Sequence, residues 1–443
     1  MTEALQKLEE ALLRCNKCGL CLAGCPIYKV TGIEWTAARG RLAVLRSALE
    51  NELKLDELTE PIFNCLTCNG CVDHCPPGVM TDEVIMKARA ELMKQRGQPW
   101  VQKFVFHDLL PHPSRLSKSA QLLGWVQAAG LPTIARGIGI TKLMGKVGRA
   151  ERLLPRIPLK QKLDGTSKKL ENPKYRVAYF VGCAAANFTP QVAEAAICVL
   201  NKHNTEVAIP DFICCGMPAM GYGDAESMLS MVKKNLDLAK SLKDVDAIIT
   251  TCATCGSMLK KYASLLAAPP ACPPLLLSSG RRELWQASLL KDDAQYAEAA
   301  KTFSAKVKDI SEFLMSIGLA TDMKDVKLKV TYHDPCHLGR FQKVSDPPRQ
   351  ILKSIPGVQY VEMAEANMCC GAAGSYSLSH YDLSMKVLAR KMGNLAKTEA
   401  DLIVTCCPGC SMQLAHGVKT HHLKTKATEL VELLDRAYHP EAK

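Results

Sequence analysis

Two runs of cysteine near the N-terminus have the spacing of a metal-cluster site. Cys15, Cys18, Cys21 and Cys25 follow C-x2-C-x2-C-x3-C and lead into Pro26; Cys65, Cys68, Cys71 and Cys75 repeat it and lead into Pro76. A [4Fe–4S] cubane needs four thiolates around its irons. Two-residue gaps let one tight loop supply three of them, and the fourth cysteine of each run reaches the other cluster. The spacing therefore assigns Cys15, Cys18, Cys21 and Cys75 to one centre, and Cys65, Cys68, Cys71 and Cys25 to a second. Paired zinc clips would have no use for the repeated C-P tail.

The rest of the chain holds a second cysteine pattern, also present twice. Cys183 is followed by Cys214-Cys215-Gly216 and then by Cys252 and Cys255 in a CxxC. Cys336 is followed by Cys369-Cys370-Gly371 and then by Cys407 and Cys410. The second cysteine of each pair stands 37 positions before the CxxC in both copies. Aligning the copies makes Thr251 the counterpart of Cys406, so in the stretch TCCPGC Cys407 and Cys410 are the expected ligands and Cys406 is the extra thiol. Five thiols per copy exceed the four that a cubane needs. Either the cluster is unusual or one thiol per copy is free for other chemistry.

The elements that must position these residues can be read from the pattern of apolar residues. The runs YRVAYFVG, DAIITT, LKVTYHDP and DLIVT are strand-like and end at or beside a cysteine, and helix-like segments such as TPQVAEAAICVLNKHN follow. Strand–helix alternation implies parallel sheets with covering helices. Ligands collect outside the carboxyl ends of such strands, where helix N-termini add positive partial charge that suits thiolates. In the N-terminal part, the 39 residues between Cys25 and Cys65 show helical periodicity. Arg39 and Arg41 lie on the first helix of that insert, either as a solvated basic face or as charge compensation beside an anionic cluster.

The twin C-x2-C-x2-C-x3-C-P runs resemble bacterial ferredoxins. The helical insert resembles the helical ferredoxin of quinone-linked and heterodisulfide reductases. The paired lone-Cys, Cys-Cys-Gly and CxxC pattern resembles the cysteine-rich CCG domains of heterodisulfide reductase subunits. The stretches CNKCGLCLAGCPIYKVTGIEWTAARGR, CLTCNGCVDHCPPGV and CCGAAGSYSLSH match most closely the iron–sulfur subunit of glycolate oxidase. Lactate-utilisation and anaerobic glycerol-3-phosphate dehydrogenase iron–sulfur subunits are related. The resemblance spans nearly the whole chain and is weakest over 100–170.

It implies an α+β multidomain architecture: a helical twin-cluster ferredoxin over 1–100, a basic helical connector over 101–170, and two α/β CCG domains with parallel sheets over 171–325 and 326–443. It also implies an electron-transfer subunit of a flavin-dependent glycolate or lactate dehydrogenase, not catalytic alone. Such a subunit would work with an FAD-containing partner and pass electrons to a quinone, an electron-transfer flavoprotein or another iron–sulfur protein. Cys183, Cys214, Cys215, Cys252, Cys255, Cys336, Cys369, Cys370, Cys407 and Cys410 would then hold one or two further [4Fe–4S] clusters. Glycolate oxidase subunits often lack some of these cysteines. A complete set is closer to heterodisulfide reductases, whose modules bind a non-cubane cluster, and this makes thiol–disulfide chemistry the alternative function.

The totals are compatible with that reading. With 443 residues, 47% of them hydrophobic, the chain can bury cores in several domains. The net charge of +12 is too scattered, and the 5% aromatic content too low, to argue for nucleic acid. The absence of an apolar run of membrane-spanning length and of a secretory signal points to the cytoplasm, with peripheral contact at the membrane face an option. Thiols stay reduced there, which favours metal ligation over disulfides. Residues 111–163 hold ten Lys or Arg against the single acidic Glu151, and are read as a connector or docking face in preference to a membrane-surface helix that ends near Pro155 and Pro158. Cys198 and Cys272 have no repeat counterpart and are read as buried or loop thiols. His333 and His337 flank Cys336; packing or capping is favoured over hydrogen bonding to a cluster. No P-loop appears, nor any G-x-G-x-x-G following a strand.

Overall fold

The computed structural model describes residues 8–133, 153, 155–159, 169–242, 244–266 and 294–440. Cys272 and most of the basic residues between Arg136 and Lys162 lie outside them.

The repeat read from the cysteines folds as two four-stranded, all-parallel sheets. In the first, β1 (Tyr175–Tyr179), β2 (Thr205–Ala208), β3 (Ala247–Thr250) and β4 (Val307–Asp309) stand in the order β2-β1-β3-β4. In the second, β5 (Leu328–Tyr332), β6 (Val358–Tyr360), β7 (Leu402–Thr405) and β8 (Lys426–Glu429) stand in the order β6-β5-β7-β8. Register is equivalent too: Val177 pairs with Ala247 and Val330 with Leu402. The four apolar runs in the sequence are the central strands β1, β3, β5 and β7. Flanked on both sides and covered on both faces, they are largely apolar, with Arg176 and Lys329 confined to the amino ends of β1 and β5. One continuous apolar core runs through both modules, from Val177 and Ile249 to Val330 and Val404.

The N-terminal unit is helical, as its spacing implies. Helices Ala38–Leu49, Thr59–Phe63 and Thr81–Arg96 pack Leu42, Leu45, Ile62, Val84 and Ile85 into a separate small core. A third apolar group, including Ile27, Leu66, Met368 and Tyr376, joins this unit to the second module. Polar contacts tie the same junction: Arg340 pairs with Asp73 at 3.1 Å and Lys29 with Glu365 at 2.7 Å. Lys261 pairs with Glu83 at 2.9 Å across the junction with the first module. Helical segments Trp100–Lys103 and Phe104–Leu109 lead into helix Pro113–Ala128, and residues 155–158 lie outside any helix, as Pro155 and Pro158 require. Cys198 departs from expectation. It lies on the outward face of the amphipathic helix Pro190–Lys202 and is exposed, because Val192, Ala196, Val199 and Leu200 take the inward stripe.

Asp309 ends β4 and caps helix Ile310–Ile317, accepting from the Ser311 N–H at 2.9 Å. Its Oδ2 is buried without a partner, and burial pushes its carboxyl up to about 6. The folded state thus keeps a proton that the unfolded chain has released, and stability falls as pH rises from about 4 through 6. Asn would keep the cap without the charge. Asp309→Asn is expected to raise the thermal midpoint at pH 8, by the equivalent of about 3 kcal/mol, and to change it little at pH 4; melting curves at the two pH values check this.

Candidate iron–sulfur centres

The ferredoxin cysteines converge in two small cavities of about 20 Å³ each. One is lined by Cys15, Cys18, Cys21 and Cys75, with Cys71 also reaching it. The other is lined by Cys25, Cys65, Cys68 and Cys71. Each cavity combines three cysteines of one run with the fourth of the other. The two loops meet through glycine: a Cβ on Gly24 would overlap the Gly70 carbonyl, and a Cβ on Gly70 the Gly24 carbonyl.

Neither paired arginine forms a solvated basic face; both lie beside the cysteine cavities. Arg41 is buried at 2% exposure, donates to the Pro61 carbonyl at 2.8 Å, and sits among Cys65, Cys25 and Cys71, whose proximity raises its pKa against the opposing effect of burial. A buried cation among thiolates is charge compensation. Arg39 stays half-buried, paired with Glu34 and donating to the Lys17 carbonyl at 2.9 Å. It braces the loop that carries Cys15 and Cys18.

In each CCG module the five cysteines gather at the carboxyl ends of the strands. Gly216 and Gly371 have φ of 91° and 89°, a left-handed turn that follows the cysteine pair and that side chains disfavour. Helices Ala253–Leu266 and Pro408–Thr420 start at the CxxC pairs, so Cys252 and Cys407 meet helix N-termini. Equivalent thiols make equivalent contacts. Cys215 accepts hydrogen bonds from Cys214 and Cys255, which lower its pKa to about 5; Cys370 accepts from Cys369 and Cys410 and is likewise lowered. Cys183 reaches Cys214 with sulfurs 4.0 Å apart, and Cys336 reaches Cys369.

Two contacts were not foreseen from the sequence. Cys252 of the first module touches Cys407 of the second, and Thr254 Oγ1 lies 3.5 Å from the Cys407 sulfur. Cys68 of the ferredoxin touches Cys369, a contact that, with burial, holds the Cys68 thiol well above its usual range. The ten module thiols therefore form one unbroken series of contacts, joined at Cys369 to the ferredoxin.

Cys406 stands apart from that series. Its buried sulfur accepts from the Tyr332 hydroxyl at 3.6 Å, as Thr251 meets the Tyr179 hydroxyl at 2.9 Å in the first module. His333 is fully buried and both ring nitrogens lack partners; its ligand atom and the sulfurs of Cys370 and Cys410 lie within 4.8 Å of one another. His337 is hydrogen-bonded to Ser257 at 2.7 Å and stacks on Phe341, so the two histidines have different surroundings. Lys391, also fully buried, donates to the Glu365 and Ala366 carbonyls at 2.6 and 3.1 Å. A cavity of about 140 Å³ opens where the ferredoxin meets the modules, reaching Cys65, Cys336, Cys369, Cys370, Cys407 and Cys410 beside Lys261 and His337.

Buried thiols crowded this closely repel one another once ionised, and an orphaned buried imidazole is costly. Iron is the partner that fits such a donor set, since it binds thiolates and can take imidazole.

A helical ferredoxin joined to a duplicated cysteine-rich α/β fold defines an iron–sulfur electron-transfer subunit of an oxidoreductase. Family models agree: a 4Fe-4S dicluster domain matches residues 11–79, a cysteine-rich CCG domain matches 177–260 and 330–415, and the linker region of the glycolate oxidase iron-sulfur subunit matches 97–154. A probable glycolate oxidase iron-sulfur subunit from Bacillus subtilis is 32% identical over 451 residues, covering 98% of this chain and 95% of that protein. The glycolate oxidase iron-sulfur subunit of Escherichia coli is 27% identical, covering 93% of this chain and 92% of its own length. A dihydromethanophenazine:CoB--CoM heterodisulfide reductase polypeptide from Methanosarcina mazei is 24% identical, covering 99% of this chain and 97% of its own length. The chain belongs to the family of glycolate oxidase iron–sulfur subunits.

Proposed function

We propose that this chain accepts electrons from an FAD-bearing partner that oxidises glycolate or lactate, and passes them to a separate acceptor. The observation that carries the proposal is the unbroken thiol series from Cys68 through Cys369 to both modules. Iron–sulfur clusters supply one-electron transfer at potentials set by charge, hydrogen bonding and exposure. Cys15, Cys18, Cys21 and Cys75 would hold one ferredoxin cluster; Cys25, Cys65, Cys68 and Cys71 the other, with Arg41 offsetting its charge. Cys183, Cys214, Cys215, Cys252 and Cys255 would hold a third, and Cys336, Cys369, Cys370, Cys407 and Cys410 a fourth. The proposed units are 1–100, 101–170, 171–325 and 326–443. Among the described residues no helix is long and apolar enough to cross a membrane. A cytoplasmic site, with the basic segment as a connector or docking face for a partner, is part of this reading.

Anaerobic purification with the neighbouring gene products tests it. The expected result is a co-purifying flavoprotein and bleaching of the clusters by a 2-hydroxyacid. No flavoprotein and no bleaching would sink it. The cavity beside Cys336 and Cys370 favours a second reading, disulfide reduction at the modules, with Lys261 and His337 facing the substrate. A cluster spectrum that ignores added disulfides and thiols would exclude that reading.

The ligand assignment makes its own prediction. Cys406→Thr, which installs the first module's residue, should leave iron content and the EPR spectrum unchanged. Cys407→Ser should lose the iron of the second module, read by iron and sulfide analysis.

A further inference from the structure

The two modules are repeats in backbone but not in the side chains around their thiols. Phe180 and His333 occupy the same place: the Phe180 N–H donates to the Ile249 carbonyl at 2.8 Å, and the His333 N–H to the Val404 carbonyl at 2.9 Å. Both side chains are fully buried. Phe180 offers no donor or acceptor. His333 offers two nitrogens, neither with a partner, beside the sulfurs of Cys370 and Cys410. Leaving a buried polar atom unpaired is costly. Both orphaned nitrogens are therefore open to a group held at the adjoining cysteine site.

A second difference has the same sense. The helices that follow each Cys-Cys-Gly share a burial rhythm: Met228, Met231, Val232, Asn235 and Leu236 in one, Ser384, Val387, Leu388, Lys391 and Met392 in the other. Lys391 thus stands where the first module has Asn235. Asn235 is neutral and bridges the Ile213 N–H and the Cys214 carbonyl, both at 3.0 Å. Lys391 brings an amine to the matching position.

We propose that a ring nitrogen of His333 contacts the iron–sulfur group of the second module, so that the two repeats hold unequal centres, the second being the more oxidising. Imidazole in place of thiolate, or an N–H donated to a cluster sulfur, reduces the negative charge of the site and raises its potential. The inference rests on the reading that the modules bind clusters. It adds a direction: electrons entering at Cys369 meet the stronger electron sink first.

The test uses the full chain, purified anaerobically from cells fed ¹⁵N-histidine and compared with His333→Phe, which reproduces the first module's residue. The expected result is a histidine-nitrogen coupling in pulsed EPR of the reduced protein. His333→Phe should abolish it and shift one module potential downward, with iron and sulfide contents unchanged. Equal nitrogen couplings and equal potentials in the two proteins overturn the proposal. If His333→Phe sheds iron instead, His333→Cys decides: restored iron at a lower potential supports direct contact, and iron still missing overturns it. Cys370→Ser separates this from failure of the premise, because iron content unchanged in that variant means that the second module holds no cluster at all.

Discussion

Gly24→Ala is expected to abolish both ferredoxin clusters, with a loss of about eight irons per chain. The added methyl would overlap the Gly70 carbonyl oxygen and lie 2.5 Å from the His74 ring. Neither loop can retreat, because Gly24 is followed by Cys25 and Gly70 by Cys71, and these cysteines share a cavity. Backbone is what the methyl strikes, so no rotamer relieves it. Gly393→Ala is the control: it lies inside helix Tyr381–Ala396 with nothing within 4 Å of the added atom, and should be neutral or slightly stabilising. Iron analysis and EPR distinguish the two. A Gly24→Ala protein with full iron would show that the two loops are not held by this contact.

Arg89→Leu is expected to have the second largest effect. Arg89 is buried at 6% exposure, and its guanidinium donates to the carbonyls of Cys65 and Gly221, both at 2.6 Å, and of Ile62 at 3.1 Å. It also lies over the Phe63 ring at 5.2 Å. One side chain thus joins the loop carrying Cys65 to the first module, whose Gly223 packs against the backbone at Arg89 and Ala90. Leucine would strand at least three acceptors, each costing about 1–3 kcal/mol. Lysine should not rescue it, because an ammonium lacks the planar fork that reaches carbonyls on both sides. The expected readout is a separate, earlier melting step for the ferredoxin and an altered signal from the Cys65 cluster. A single transition at the parental temperature would count against this role.

The cysteine pattern made the duplicated fold and the separate status of Cys406 legible, because ligand spacing and repeat alignment are local signals. The apolar pattern located β1, β3, β5 and β7. It did not show β2, β4, β6 and β8, which are edge strands of three or four residues with polar members such as TEVA and KATE. Half-covered edges carry no continuous apolar run. Arg89 was missed for a different reason: its acceptors lie 24 and 132 residues away, and nothing local to helix Thr81–Arg96 marks them. The contacts Cys252–Cys407 and Cys68–Cys369 are likewise products of how the units dock. His333 was visible as a residue beside Cys336, but packing was the favoured reading. What the sequence lacked was its burial and its two unpartnered nitrogens, both tertiary facts.

The unbroken series of sulfurs also bears on how the protein must be made. Thiols this close, with Cys215, Cys370 and Cys407 lowered by hydrogen bonds from neighbouring thiols, are primed to oxidise to disulfides. Chain that met oxygen before iron would close Cys183 onto Cys214, or Cys252 onto Cys407, and the latter would weld the two modules together with their donors consumed. Maturation is therefore a race that metal must win, and aerobically produced protein should need reduction before it can be loaded.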